Sequence, residues 1–369
     1  YGLSYPNLLG MMRLAGLPLR REQRNEEAPM IVVGGPCAYN PEPLADFFDV
    51  ALIGDGEEAI VELAELVRQA KQQNWSRLQL LEKLAASEGF YVPQFFAVSY
   101  QDDGSLAEIT PQREGYEKVT RRFLNDLETA PFPTQPIIPF MQTVHNRVAQ
   151  EIARGCTRGC RFCQAGYIYR PVRERSPETI RKLISEALEN SGYEEISLLS
   201  LSTGDYGCIE PLLRTLMAEH ADDRVAVSLP SLRVGSLTEE LMEEVKKVRK
   251  TGFTLAPEAG SERLRAVINK GISAADLLET TGNAYRLGWR LIKLYFMMGL
   301  PSESDDGLER GGVDLCAEAA HPVPMAAADR HRRDPAQAGD AAGRIAQEEA
   351  AFQISRSGTL FPRRSVRAR

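Results

Sequence analysis

Cys156, Cys160 and Cys163 stand in the run Arg-Gly-Cys-Thr-Arg-Gly-Cys-Arg-Phe-Cys. Three thiols spaced C-x3-C-x2-C on one tight loop can ligate three irons of a 4Fe-4S cluster and leave the fourth iron without a protein ligand. Such an open iron can take a small molecule through that molecule's own nitrogen and oxygen atoms. The competing reading, a zinc knuckle, wants a fourth Cys or His close by to complete a tetrahedron, and none follows the triplet. Arg154, Arg158, Arg161, Arg170, Arg173 and Arg175 crowd the same stretch. Positive charge there lowers thiol pKa and offsets the charge of a thiolate-bound cluster; the plainer role for any one of them is a helix cap or a surface ion pair.

These residues need a frame. From 148 onward, strand-like segments (148–153, 196–201, 225–229, 253–255, 291–298) alternate with helical ones (177–190, 210–220, 238–247, 261–268, 274–287). Alternation of this kind predicts a parallel sheet curling into a β/α barrel, whose chemistry sits at the C-terminal ends of the strands. The cysteine loop follows the first strand and Ser202-Thr203-Gly204-Asp205 follows the second. Ser228 to Arg233 closes the third, Glu258-Ala-Gly-Ser261 the fourth, and Met297-Met298-Gly299-Leu300-Pro301-Ser-Glu303 the fifth.

The cysteine spacing, the aromatic Phe162 directly before the third cysteine, and five strand-end motifs in order resemble the radical S-adenosylmethionine (SAM) superfamily over about 148–303. The resemblance implies a partial (β/α)6 barrel with a 4Fe-4S cluster on Cys156, Cys160 and Cys163. It also implies SAM chelated to the open iron. An electron from reduced flavodoxin or ferredoxin would then split SAM into methionine and a 5′-deoxyadenosyl radical that takes a hydrogen from a substrate. For SAM itself the resemblance points to Gly204 and Asp205, in place of the family's Gly-Gly-Glu-like element that holds the methionine ammonium, with Thr203 beside them. Ser228 and Arg233 are similar to residues that meet the ribose hydroxyls and the carboxylate. Glu258 and Ser261, with Arg263 in reach, resemble a stretch of the methylthiotransferases, and Met298 lies in the adenine-contacting element. Against these stand plainer roles: a helix cap for Asp205, an ion pair for Arg263, core packing for Met298. Two other functions remain open, a methylthiotransferase-like RNA or protein modifier and a catalytically inactive iron–sulfur scaffold or electron carrier. The first wants a second cluster on three amino-terminal cysteines, where only Cys37 is present.

Residues 1–72 read as the later part of an α/β unit, with strands at 30–33 and 50–53 that each run into a glycine turn and then a helix (43–48 and 57–72), after an opening helix at 5–17. Gly34-Gly35-Pro36-Cys37 and Gly54-Asp55-Gly56-Glu57-Glu58 resemble the amino-terminal domain of cobalamin-binding-type radical SAM proteins. The cobalt-ligand pattern Asp-x-His-x-x-Gly is not in this chain, so cobalamin and a cofactor-free Rossmann-like domain both stay open. Residues 73–147 read as a connector with a β-hairpin at 95–100 and 106–109 around Asp102-Asp103-Gly104, and His145 reads as structural. The fold class is therefore α/β: a partial Rossmann-like, cobalamin-binding-type domain and then the partial barrel.

A net charge of −7 over 369 residues argues against a general nucleic-acid or membrane-surface binder. No apolar run approaches the roughly 20 residues that span a bilayer, and no signal peptide is legible. Six scattered or clustered cysteines in a chain this long fit a reducing cytoplasm better than a disulfide framework. The chain begins at Tyr1 inside a helix-like segment, and after about Glu303 lysines end while Ala and Arg become abundant. Residues 304–369 are accordingly expected to be an irregular tail, disordered or read in a shifted frame, and not to supply the barrel's sixth strand.

Overall fold

The computed structural model describes residues 4–141, 143–230, 232–236, 238–248, 253–289 and 291–303, together with the backbone of 353–356. They belong to two compact units, Tyr1–Pro131 and Phe132–Arg369.

In the first unit, α1 (Tyr5–Leu14) precedes β1 (Val32–Val33) and β2 (Val50–Leu52), which pair in parallel. Then come α2 (Ala59–Gln73), α3 (Arg77–Ala85) and β3 (Phe90–Tyr91), the last antiparallel to β2, so that the sheet order is β1-β2-β3. Helix α2 buries Ala59, Leu63 and Ala70, and α3 buries Leu80, Leu81 and Leu84, against Val50, Phe90 and Phe95. The connector expected from 73 thus begins with a helix. Its start is written in a capping box, in which the Ser76 side chain accepts from Gln79 N–H and the Gln79 side chain accepts from Ser76 N–H. The short helix expected at 43–48 is only a 3₁₀ turn, Glu42–Leu44. Strands β4 (Phe96–Tyr100) and β5 (Leu106–Pro111) form the expected antiparallel hairpin.

The second unit opens with β6 (Val148–Glu151) and β7 (Ala153–Arg154), then the one-turn α4 (Ala165–Ile168) and β8 (Arg173–Glu174), which pairs antiparallel with β7. There follow α5 (Pro177–Ser191), β9 (Glu195–Leu199), α6 (Ile209–His220), β10 (Ala226–Ser228), α7 (Glu239–Lys246), β11 (Phe253–Glu258), α8 (Glu262–Val267), α9 (Ala274–Arg286), β12 (Ile292–Phe296) and β13 (Gln353–Arg356). Helix starts follow from sequence. The side chains of Ser176, Thr238, Ser261 and Ser273 each accept the backbone N–H three residues on, and Gly192 closes α5 in the left-handed conformation.

Two parallel ladders result, β10-β9-β6 and β11-β12-β13, each with its strands in chain order. One apolar cluster joins both: Ile196 and Leu198 of β9, Val227 of β10, Leu255 of β11, and Ile292 and Leu294 of β12 pack with α5, α6, α7 and α9. Helices therefore cover one face of β9, β10, β11 and β12, as in a β/α barrel. The tail departs from its expected irregularity at one place: β13 pairs in parallel with β12, Leu294 opposite Ile354. The remainder of 304–369 lies outside the described residues. Among the described residues, no helix is long and apolar enough to cross a membrane.

Candidate functional site

The cysteine loop leaves β7 through Gly155, at φ +95°. A Cβ there would stand 2.7 Å from the carbonyl oxygens of both Tyr169 and Pro171, so only glycine lets the loop fold back on its own return segment. Cys156, Cys160 and Cys163 follow, all free and half-buried. Cys163 N–H donates to the Cys160 carbonyl at 3.1 Å and Gly166 N–H to the Cys163 carbonyl at 3.2 Å, which winds the third cysteine into the start of α4. Arg158 N–H points at Cys156 Sγ, 3.5 Å away. Free thiols on one loop, with a backbone donor already turned to one sulfur and guanidinium groups alongside, are a donor set that fits an iron–sulfur cluster. Among the described residues no three His, Cys, Asp or Glu side chains close around a single-ion position.

Asp205 sits on the 3₁₀ turn Thr203–Asp205 after β9. Its carboxylate is gripped by Arg158 of the cysteine loop: Nε donates to Oδ2 at 2.7 Å and a terminal N–H donates to Oδ1. The hydrogen-bonded guanidinium holds the Asp205 carboxyl below the usual carboxylate range, and Asp205 in turn raises the Arg158 pKa. Expected as an ammonium acceptor, Asp205 thus meets a cation of its own chain. Thr203 is fully buried, and its hydroxyl donates to the Pro230 carbonyl at 2.6 Å, tying the ends of β9 and β10 together. Gly204 is a close-approach glycine, but what approaches is Ser236: an added Cβ would stand 2.3 Å from its Oγ.

The other side of the loop rests on the end of α8. Arg161 N–H donates to the Ile268 carbonyl at 2.9 Å and its guanidinium to Val267, while the Asn269 amide donates to the Gly159 carbonyl at 2.9 Å. Lys270 pairs with Glu258 at 3.1 Å and lies over the Phe162 ring, 5.8 Å from its centroid. Its carbonyl, with that of Gly271, accepts from Arg233. Glu258 ends β11 at φ +69°, a conformation uncommon for any residue but glycine, and its carbonyl accepts from Met297 N–H at 2.8 Å. Glu258 and Arg233 therefore both converge on 270–271. Ser261 is the N-cap of α8, accepting from Leu264 N–H, and the Arg263 guanidinium donates to the Ser302 hydroxyl and carbonyl. Glu303 accepts from Gly299 and Leu300 N–H, which shapes the turn carrying the exposed Met298. Ser228 ends β10, half-buried. His145 touches Arg147.

Asn269 and Lys270 were not singled out from sequence. The available signal was local: Ile-Asn-Lys-Gly ends a helix, and Asn269 and Gly271 both take positive φ, the stop expected of Asn and Gly. Arg265 was missed too; it is buried, with Nε on the Ile272 carbonyl at 2.8 Å and Nη1 on those of Ala259 and Gly260, and burial lowers its pKa.

In the first unit, Gly54 lies at φ +120°, and an added Cβ would stand 2.0 Å from the Arg122 carbonyl oxygen. Asp55 accepts from Leu124 N–H at 2.9 Å. This turn is therefore filled by the chain itself, whereas Gly35, at φ +94°, has no heavy atom within 4 Å of an added Cβ.

The family described as the radical SAM superfamily matches residues 151–310 of this sequence, and the family described as radical SAM proteins, N-terminal, matches 1–93. The chain belongs to the radical SAM superfamily. An uncharacterized protein of Methanocaldococcus jannaschii is 32% identical to this radical SAM protein over 288 residues, which cover 78% of this chain and 56% of that one. The ribosomal protein uS12 methylthiotransferase RimO of Thermotoga maritima is 27% identical over 170 residues, covering 43% of this chain and 39% of RimO. Among solved structures, the radical SAM methyltransferase TsrM from Kitasatospora setae, with cobalamin and a [4Fe-4S] cluster bound, superposes with a TM-score of 0.55 at 14% identity, over 79% of this chain and 53% of TsrM. That likeness is one of fold. The chain spans about half the length of the proteins it matches.

Proposed function

We propose that this chain holds a 4Fe-4S cluster on Cys156, Cys160 and Cys163 and uses it to cleave SAM reductively in modifying a substrate. The observation that carries the reading is the cysteine loop: three free thiols at the end of a parallel strand, fixed on one side by Arg158–Asp205 and on the other by 267–270. Bound there, the cluster and SAM supply one-electron chemistry that no side chain offers. The chain's own residues position. Arg158 and Lys270 bring positive charge to the thiolate loop, which favours ionised sulfur. Ser228 offers a hydroxyl that has no partner among the described residues, and Met298 an exposed apolar surface suited to an adenine. Asp205, Arg233 and Glu258 act through the loop and through 270–271, which they hold.

An electron donor of the reduced flavodoxin or ferredoxin type is required by this chemistry, and free cysteines fit a reducing cytoplasm. Cobalamin in the first unit is supported by the likeness to TsrM, and the open Gly34–Gly35 turn is where the chain would receive it; no step is assigned to it. The similarity to RimO supports a second reading, a methylthiotransferase-like modifier of RNA or protein. Iron analysis after anaerobic reconstitution separates the two. The first reading expects about four irons per chain and a visible-spectrum shift on adding SAM, whereas a second cluster would give about eight. Less than one iron per chain, or a spectrum indifferent to SAM, overturns both.

A further inference from the structure

Lys270 stands between two residues in the left-handed region, Asn269 at φ +55° and Gly271 at φ +58°, where the chain leaves α8. Its neighbours tie this turn to the cysteine loop. The Asn269 amide donates to the Gly159 carbonyl at 2.9 Å, and the Ile268 carbonyl accepts from Arg161 N–H at 2.9 Å. The N–H of Lys270 itself donates to the Arg265 carbonyl at 2.8 Å. Its ammonium thus has a defined place over the ring of Phe162, 5.8 Å from the centroid, and Phe162 directly precedes Cys163. The same ring packs with Ala259, Leu264, Ile268 and Leu300. The Lys270 side chain is 12% exposed, and that of Glu258, its partner at 3.1 Å, is 16% exposed. Arg158 is 44% exposed, and Arg161 is exposed as well. Water screens a charge at the surface strongly and a shielded charge much less, so the shielded pair acts further on its surroundings. Holding Glu258 at the bend that ends β11 explains the ion pair; it does not explain an ammonium laid on the aromatic next to a thiol.

We propose that Lys270 tunes the electron affinity of a cluster on Cys156, Cys160 and Cys163, and that Glu258 holds the ammonium in place and tempers its charge. This rests on the cluster reading above and adds a positioning residue to it. Cluster potentials follow local charge, hydrogen bonding and exposure. The reduced cluster is one unit more negative than the oxidised one, so a nearby cation favours reduction and a nearby carboxylate opposes it. The two members of the pair therefore act with opposite sign. A pair that only shapes the loop has no such sign.

The full chain is reconstituted anaerobically with iron and sulfide and titrated with dithionite and redox mediators, the reduced cluster being read by electron paramagnetic resonance. At the wild-type midpoint, the ratio of reduced to oxidised cluster falls about threefold or more in Lys270→Met, and Lys270→Arg stays within about twofold of wild type. The ratio rises in Glu258→Gln, and the double variant lies between the two single ones. Equal ratios in wild type and Lys270→Met overturn the proposal. So do shifts of the same sign in Lys270→Met and Glu258→Gln, because the pair then works through the shape of the loop. Where Lys270→Met holds no iron, Glu258→Gln decides: a rise supports the proposal, and no change or a fall overturns it. A wild type that takes up no cluster overturns the proposal and the enzyme reading together. A cluster-loaded wild type indifferent to SAM overturns the enzyme reading alone, since the potentials still report on Lys270.

Discussion

Cys156, Cys160 and Cys163 differ from Cys37 and Cys208 in their neighbours more than in their exposure: the loop trio has a guanidinium network and backbone donors around it. Cys160→Ala is therefore expected to lose the cluster on reconstitution, read as iron and sulfide per chain, while Cys37→Ala and Cys208→Ala retain it. The Arg158–Asp205 pair makes a second prediction. Both side chains are partly exposed, so a double-mutant cycle on melting temperature should give a coupling of only about 0.2–1 kcal/mol. Its pH dependence has a definite sign. The Asp205 pKa is depressed in the folded chain, so the pair's contribution is present above the unfolded carboxylate pKa of about 3.9 and disappears as pH falls through the lower folded value. Asp205→Asn should flatten that acid limb; an unchanged limb would mean the pair does not form in solution. The type and place of Asp205 were legible in the sequence. Its partner was not, because Arg158 and Asp205 are 47 residues apart and any of six arginines near the cysteines could have reached it.

At the scale of elements, the turns that carry the site depend on glycines with nothing to spare. Gly204→Ala meets Ser236 at overlapping distance and should cost about 1–3 kcal/mol, read by thermal or urea unfolding. Gly155→Ala meets two backbone oxygens as well as a forbidden φ, and should lower iron incorporation beyond what its melting temperature explains. The clamp from α8 is tested by Asn269→Ala, which removes the amide bond to Gly159: thiol labelling of the iron-free protein should speed up at Cys156 and Cys160 and not at Cys37. Helices announced themselves through caps such as Ser176 with Pro177, and Ser273 with Asp276. Helix α3 carries the same signal in Ser76 and Gln79, but it stands in a connector whose prolines and turns outweigh it in the sequence. The 266–271 segment escaped for another reason. Its role is made by backbone carbonyls, and carbonyls have no sequence signature.

Across the whole molecule, the order of strands and helices from 148 to 303 followed from periodicity, since each crossover helix has an apolar stripe and each strand a short buried run. The closing of the Gly54 turn by Arg122 was not legible in the same way, being a contact between segments 68 residues apart. The pairing of β13 with β12 lay beyond sequence reasoning as well, because prolines and an Ala/Arg-rich composition masked a strand of four residues. Everything functional in this arrangement depends on one claim, that the cysteine loop carries a cluster able to cleave SAM. The direct measurement is anaerobic reconstitution with iron and sulfide, reduction by dithionite, addition of SAM and quantitation of 5′-deoxyadenosine. Formation of 5′-deoxyadenosine by the wild type, and its loss in Cys160→Ala, is the predicted result; a cluster-loaded, reduced wild type that leaves SAM intact would contradict the account.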